Sequence, residues 1–454
     1  MRGHLGSEVP RSGPGPARPP RVVHSEPVRA LRAAAVAAPP LLVTFLTAPV
    51  AFQGGSILPW NPRMIDLDVY RDAGRTVLSG GDLYAHGDGL PFLYPPAAAL
   101  LSVPFTVIGH VAAQLCWLVL CVAGLLAILY RLGLSGWQLS LVATAAVYFC
   151  EPVSQTLAYG QLGIVLVALV VLDLVPGPSL LPGGRFTGRL RPPTGVLTGL
   201  ATSIKLTPAL FAVHLAISGR RRAAAGVLAT TLAVAAGAAV ALPGDSGHYW
   251  WRLAHGDTGL PAESIVYLTN QSVLGTWLRV VGIGGVQTVT GLLLAATVAG
   301  MGVYAAAMWH RLGEETFAVT VCGVAGLLAS PVSWSHHFVW VVPLAVVLSG
   351  TGLPAATRVS GWVFVGWVSA APFMRLPLGG AVELAYNGWQ RALASFTAVS
   401  GVVFLSVSLV TALIVGREPH GDGDGPPAVP ARPGTRKRAV NPRETRPSYV
   451  GPHV

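Results

Sequence analysis

Apolar runs of about membrane length recur from residue 33 to residue 415 of this 454-residue chain, which a soluble multi-domain protein does not tolerate. They lie near 33–53, 94–109, 111–130, 138–153, 159–176, 195–217, 223–242, 286–309, 316–331, 337–350, 358–374 and 393–415. About twelve spans in an all-α polytopic membrane protein is the expectation. Several runs are short for a hydrocarbon layer of ~30 Å, and those within 94–130 and 316–350 nearly touch, which leaves the count open by two.

Charged residues make up 11% of the chain, against roughly 25% in soluble domains. The net charge of +11 sits largely in two Pro/Gly-rich ends. Residues 1–32 carry Arg2, Arg11, Arg18, Arg21, Arg29 and Arg32, and residues 417–454 contain "RPGTRKRAVNPRETR". Both read as disordered basic cytoplasmic tails flanking a membrane domain at 33–416, in keeping with the positive-inside rule. With no aromatic interleaving they do not read as nucleic-acid binders. No signal-cleavage pattern precedes the first apolar run, which is expected to stay as an anchor. Cys116, Cys121, Cys150 and Cys322 all fall in apolar runs without metal-ligand spacing, so neither a metal site nor disulfides are expected. No P-loop, GxGxxG or HExxH element appears, and no cofactor is implied.

An even span count with both tails inside places "SGRRRA" (Arg220–Arg222), "WHRLGEE" and Arg358 in the cytoplasm. Residues 54–93, 244–285 and the Ser330–His337 turn then lie together outside. Arg185, Arg189 and Arg191 also fall outside, against the charge rule, so residues 130–195 are where this topology strains. Asp66, Asp68, Asp72, Asp82 and Asp88 lie in the first outside segment, and Asp245, Asp257 and Glu263 in the second. Inside the spans, Lys205 and Asp173 are the chief ionisable groups. That distribution favours chemistry at the outer interface over transport through the midplane.

"DLDVYRDAGRTVLSGG" reads as an amphipathic helix ended by Gly80–Gly81 and lying along the membrane surface. At 100° per residue, Asp66, Val69, Tyr70, Ala73 and Val77 share one face, and Asp68, Arg71, Asp72 and Arg75 the other. Asp68 and Asp72 then find Arg71 and Arg75 in water. Asp66 points with the apolar stripe, either as a helix N-cap or as a functional group.

Three other stretches carry candidate chemistry. "SPVSWSHHFVW" sets His336 and His337 at the mouth of a span beside Trp334, suited either to an aromatic belt or to holding a phosphate or sugar. "TSIKLTPALF" places Lys205 within an apolar run beside Pro208, and Lys205 and Lys437 are the only lysines among 30 basic residues. Snorkelling to an interface competes there with pairing to an anion. In "NQSVLGTWLR", Asn270 and Gln271 suit hydrogen bonding to a polar ligand, and "YGQLG" adds Gln161.

Taken in order, "DLDVYRDAG", "LYxxxxxLPFLYPP", "GQLGIVLVALVVLD", "GLATSIKLTPALF", "NQSVLGTWLR" and "SPVSWSHHFVW" resemble glycosyltransferase family 87, over roughly residues 60–350. These are actinobacterial polyprenol-phosphate-mannose-dependent mannosyltransferases of the GT-C fold class. The resemblance implies a multi-pass cell-membrane enzyme whose site faces the extracytoplasmic side. It would move mannose from a polyprenyl-phosphate donor to a lipid-anchored mannoside, with inversion. Asp66 matches the acidic motif position and is the expected general base. Tyr70, Tyr94, Gln161, Lys205, Asn270, Gln271, Trp334, His336 and His337 are the substrate-binding candidates, with Arg63 a further cation. The lipid phosphate that leaves needs cationic or hydrogen-bonding partners. Related members transfer arabinofuranose, and a lipid-linked sugar flippase is the competing class. A flippase predicts in-membrane charges and an internal repeat, and neither is evident.

Overall fold

The computed structural model describes residues 26–51, 54–85, 89–180 and 192–417. Its path opens with α1 (Glu26–Thr47) and α2 (Ile65–Ser79), then short α3 (Pro96–Ser102) and α4 (His110–Arg131). Next come α5 (Gly136–Phe149), the bent pair α6 (Glu151–Tyr159) and α7 (Gly163–Leu174), and the broken pair α8 (Val196–Ile204) and α9 (Leu210–Ile217). A middle group comprises α10 (Arg221–Ala241), α11 (Pro243–Ala254), α12 (Ala262–Val266) and α13 (Val273–Val281). Finally, α14 (Gly285–Arg311), α15 (Glu315–Ala329), α16 (Val341–Leu348), α17 (Ala355–Ala370) and α18 (Gly388–Val415) close the fold.

Among the described residues, five helices are long and apolar enough to cross a bilayer unaided: Ala30–Thr47 of α1, α4, α10, α14 and α18. This is a helical membrane protein. The other expected runs form shorter, bent or broken helices among the described residues, and the reason is local chemistry. α6 and α7 meet at 116° where Gly160 takes φ +71°. α8 stops at Lys205, which is extended, and a turn through Thr207–Ala209 with Pro208 starts the return in α9. Gly195, at the foot of α8, packs against Ala223 of α10, and α9 runs directly into the start of α10. The expected span at 195–217 is therefore a hairpin whose two feet meet beside Arg220 and whose tip is Lys205.

The two ends of the bundle differ in character. At one, Arg220 of the α9–α10 corner and His310 both bind Glu315 of the α14–α15 corner, joining "SGRRRA" to "WHRLGEE". Arg131 donates to the carbonyls of Val175 and Gly177 at this same end. Asp173, read from sequence as an in-span charge, accepts from the amides of Gly195 and Thr198 and so caps the start of α8. Arg185, Arg189 and Arg191 lie outside the described residues, as do residues 1–25 and 418–454. The flanks of that arginine segment, at Gly177 and Gly195, sit at the basic end, where the sequence had placed them opposite. Two departures from the expected spans account for this: the run at 94–109 is only the short α3 and one further turn, and the run at 195–217 reverses at Lys205.

At the other end the three expected loop segments do meet. Asp245 of α11 accepts from the Leu83 amide at 2.9 Å, and Tyr84 packs against Tyr249. Residues 269–271 run antiparallel to 333–335: the Gln271 amide donates to Ser333 and the Ser335 amide to Thr269, both at 2.8 Å.

Candidate active site

α2 ends at Gly80 (φ +69°), as its glycine pair dictates, but its faces are used differently from the expectation. The N-cap is Met64, with no side-chain cap bond, so Asp66 does not cap this helix. One side of α2 sits on the α6–α7 elbow, where a Cβ added at Gly160 would lie 2.7 Å from that of Leu67. The other side docks on the elbow before α4, where Gly74 faces Thr106 and Val103. Arg71, expected in water, is therefore buried and donates to the Ile108 carbonyl at 3.2 Å. Asp68 pairs with His110 at 2.8 Å rather than with Arg71 or Arg75, whereas Arg75 does bind Asp72. A helical wheel assigns Asp68, Asp72 and Arg75 to the open face correctly but cannot say that Arg71 among them is covered.

Asp66 is half-buried beside Gln161, which hydrogen-bonds to it, and within electrostatic reach of Lys205. Burial lifts its carboxyl from 3.8 to about 6, against the opposing pull of the Gln161 hydrogen bond and the Lys205 charge. The Gln161 carbonyl oxygen accepts from the Tyr70 hydroxyl at 3.0 Å and from Tyr94 at 3.3 Å, and the two phenols are 3.0 Å apart. Burial holds the Tyr70 phenol protonated well beyond its ordinary range, so it can serve as a hydrogen-bond donor.

Within electrostatic reach of this carboxylate stands Lys205, with His337 against it. Lys205, at the hairpin tip, lies 5.4 Å from the centre of the Tyr94 ring and places Nζ 2.8 Å from His337 Nε2. His337 Nδ1 accepts the Trp334 amide at 3.1 Å, so a neutral ring carries its proton on Nε2, toward Lys205. Lys205 and His337 thus stand in contact and set two nitrogen groups side by side on one wall of the site. Behind Lys205 and His337 opens a small, partly open apolar pocket between α7, α9 and α15, lined by Val167, Val170, Phe211, Gly326 and Trp340 among others.

Asn270 is fully buried and spends its amide on the turn itself, accepting from the Ser333 amide and donating to the carbonyls of Ile265 and Pro331. Gln271 donates to the Leu268 carbonyl from an equally buried position. Both thus lie under the histidine turn with amide N–H groups spent on backbone carbonyls. Trp334 packs edge-on to Tyr267, against the same turn. Arg279 completes this floor: it is buried in α13 and donates to the Tyr267 and Asn270 carbonyls. Sequence reasoning also passed over Glu151, which accepts from the Ser335 hydroxyl at 2.7 Å. A single carboxylate ahead of Pro152 in an otherwise apolar stretch was the available signal. Arg63 is exposed and next to Gly54, away from the contacts described. Among the described residues no group of three or more His, Cys, Asp or Glu side chains is placed to hold a metal.

The model for "Glycosyltransferase family 87" matches residues 92–331, a stretch that contains Tyr94, Gln161 and Lys205 but neither Asp66 nor His337. A Mycolicibacterium smegmatis "polyprenol-phosphate-mannose-dependent alpha-(1-2)-phosphatidylinositol mannoside mannosyltransferase" is 32% identical over 69% of this chain and 76% of its own. Its Mycobacterium tuberculosis (H37Rv) counterpart is 32% identical over 64% of this chain and 71% of its own. An M. tuberculosis (CDC 1551) "phosphatidylinositol pentamannoside mannosyltransferase" of the same donor class is 29% identical over 86% and 88%. No solved structure matches significantly. The family match over more than half the chain, and the relatives that extend it, establish that this chain belongs to glycosyltransferase family 87.

Proposed function

We propose that this glycosyltransferase moves mannose from polyprenyl-phosphate mannose to a phosphatidylinositol-mannoside-like lipid, with its site facing the extracytoplasmic side of the cell membrane. The observation that carries the reading is Asp66 within electrostatic reach of the Lys205–His337 pair at the mouth of a small apolar pocket. The pocket suits the start of an isoprenoid tail, and the two adjacent nitrogen groups suit its phosphate. The relatives' names supply the sugar and the acceptor class. The basic end, rich in arginine, is the cytoplasmic side by the charge rule, which turns the site outward.

In the proposed step, the Asp66 carboxylate takes the proton of an acceptor hydroxyl as its oxygen attacks the anomeric carbon. The bond from that carbon to the phosphate oxygen breaks, and its electron pair leaves with polyprenyl phosphate. Lys205 and His337 meet the charge that develops there, a term worth about 10²–10³ in rate for a single well-placed donor. One displacement on a β-linked donor gives an α-mannoside, that is, inversion. A carboxyl poised near 6 is a competent base at neutral pH.

The test is sugar transfer by purified protein in lipid nanodiscs, supplied with radiolabelled polyprenyl-phosphate mannose and a mannosylated phosphatidylinositol. Labelled glycolipid is expected from the lipid donor and none from GDP-mannose. Turnover on GDP-mannose in the absence of lipid donor overturns the reading.

A further inference from the structure

Among the described residues, the buried Glu151 Oε2 and His336 Nε2, near the reacting groups, have no hydrogen-bond partner, and neither do Gln271 Oε1 and Ser333 Oγ of the adjoining turn. Buried polar atoms of native proteins are nearly always satisfied, and a buried carboxyl oxygen left bare is costly. Glu151 and His336 belong to one cluster. Glu151 starts α6 and grips Ser335 through Oε1, and Thr156, one turn and a half further on, donates to the His336 carbonyl at 2.8 Å. The His336 ring stands edge-on to Tyr159 at 5.3 Å, and Tyr159 lies within electrostatic reach of both Glu151 and Asp66. The His336 side chain is over nine-tenths buried, so the missing partner is not bulk water. His336 is also adjacent to the proposed phosphate contact, its ring centre 4.7 Å from that of His337. A group joined through one oxygen to a phosphate held at His337 is therefore within reach of His336.

We infer that Glu151 and His336 bind hydroxyl groups of the transferred sugar, Glu151 Oε2 accepting from one hydroxyl and His336 Nε2 holding a neighbouring one. This rests on the reading of the site as one for a lipid-phosphate sugar, and it assigns the sugar-selecting contacts within it. Ser335 acts by position only: it spends one oxygen of Glu151 so that the other faces the sugar. A carboxylate suits this task because it only accepts, and a sugar hydroxyl readily donates. Sites built to hydrogen-bond a hydroxyl reject the analogue that lacks it far more strongly than apolar pockets reject a missing methylene.

The test uses the whole protein in nanodiscs and a series of polyprenyl-phosphate mannoses, each lacking one sugar hydroxyl. Wild-type kcat/KM is expected to fall about 100-fold or more for at least one deoxy donor. In Glu151→Gln, kcat/KM for the parent donor should fall by about 10–100-fold while that deoxy donor is nearly unaffected, so that the ratio collapses. Ser335→Ala, which frees Glu151 from its positioning bond, should shrink the ratio in the same direction but by less than Glu151→Gln. Equal use of every deoxy donor by the wild type overturns the inference without recourse to any variant, and so does an unchanged ratio in Glu151→Gln. Absence of transfer from any lipid-phosphate sugar defeats the functional reading instead.

Discussion

Lys205 and His337 touch, Nζ to Nε2 at 2.8 Å, across 132 residues of sequence. The contact exists because α8 breaks at Lys205 and turns back, presenting an ammonium at a hairpin tip to a histidine held by the Trp334 amide. If both serve one phosphate, their removal cannot be additive. Lys205→Met and His337→Gln should each raise the apparent KM for the lipid donor by about 10–100-fold, as loss of a charge-assisted hydrogen bond does. The double variant should cost clearly less than the product of the two, a coupling that a double-mutant cycle measures directly. Strict additivity would assign the phosphate to only one of them.

The Asp66 carboxyl makes a prediction in pH. As the base it must be ionised, so kcat/KM should rise with pH through a midpoint of about 6 and then level off. Because the group binds its proton more tightly folded than unfolded, its contribution to stability is highest in acid. Stability drains away between the ordinary value of 3.8 and about 6, and the penalty is complete above that. Asp66→Asn should therefore lower turnover by two or more orders of magnitude and, at pH 7, leave the protein about 1–3 kcal/mol more stable. Thermal unfolding and transfer assays on the same preparation read both. A variant that loses activity and stability together would mean that Asp66 is structural.

Asp68, two residues on, offers the contrast. Its partner His110 is as exposed as it is, and such pairs contribute about 0–1 kcal/mol. Asp68→Asn is expected to retain near-normal turnover and a melting temperature within a few degrees of the parent. A large kcat loss here with little in Asp66→Asn would transfer the base to the wrong-facing carboxylate and overturn the proposed mechanism.

These contrasts mark what the chain made legible. The end of α2 at Gly80, the isolation of Asp66 on the apolar side and the scarcity of lysine around Lys205 are local facts, each visible in a short window. Asn270 shows the limit. Its amide meets the Ser333 amide, and the antiparallel pairing of 269–271 with 333–335 that brings the two together is not visible in a short window. The burial of Arg71 was hidden for a similar reason, since it depends on the elbow at Val103–His110 packing against a face whose composition is that of a solvated one. The direction of α9 was equally hidden: Pro208 announces a break, but a break does not say whether the chain continues or returns.

Gly160 gives the last prediction, because it links the fold to the base without carrying any chemistry. Its φ of +71° closes the α6–α7 bend, and left-handed backbone is strained for any residue with a side chain. A Cβ there would also stand 2.7 Å from the Leu67 Cβ and 3.3 Å from the Leu67 amide, closer than atoms tolerate. Both problems push the same way, lifting the first turn of α2 off the elbow. Asp66 is the residue before Leu67, so it moves too, while Gln161 stays attached to the displaced bend. Gly160→Ala should thus cost about 1–3 kcal/mol of stability and lower kcat by about 100-fold, since misplacement of a reacting group by 1 Å can cost that much. KM for the lipid donor should change little, as Lys205 and His337 lie on other elements. A matched loss of kcat and gain in KM would show instead that the bend supports the whole site rather than the placement of α2.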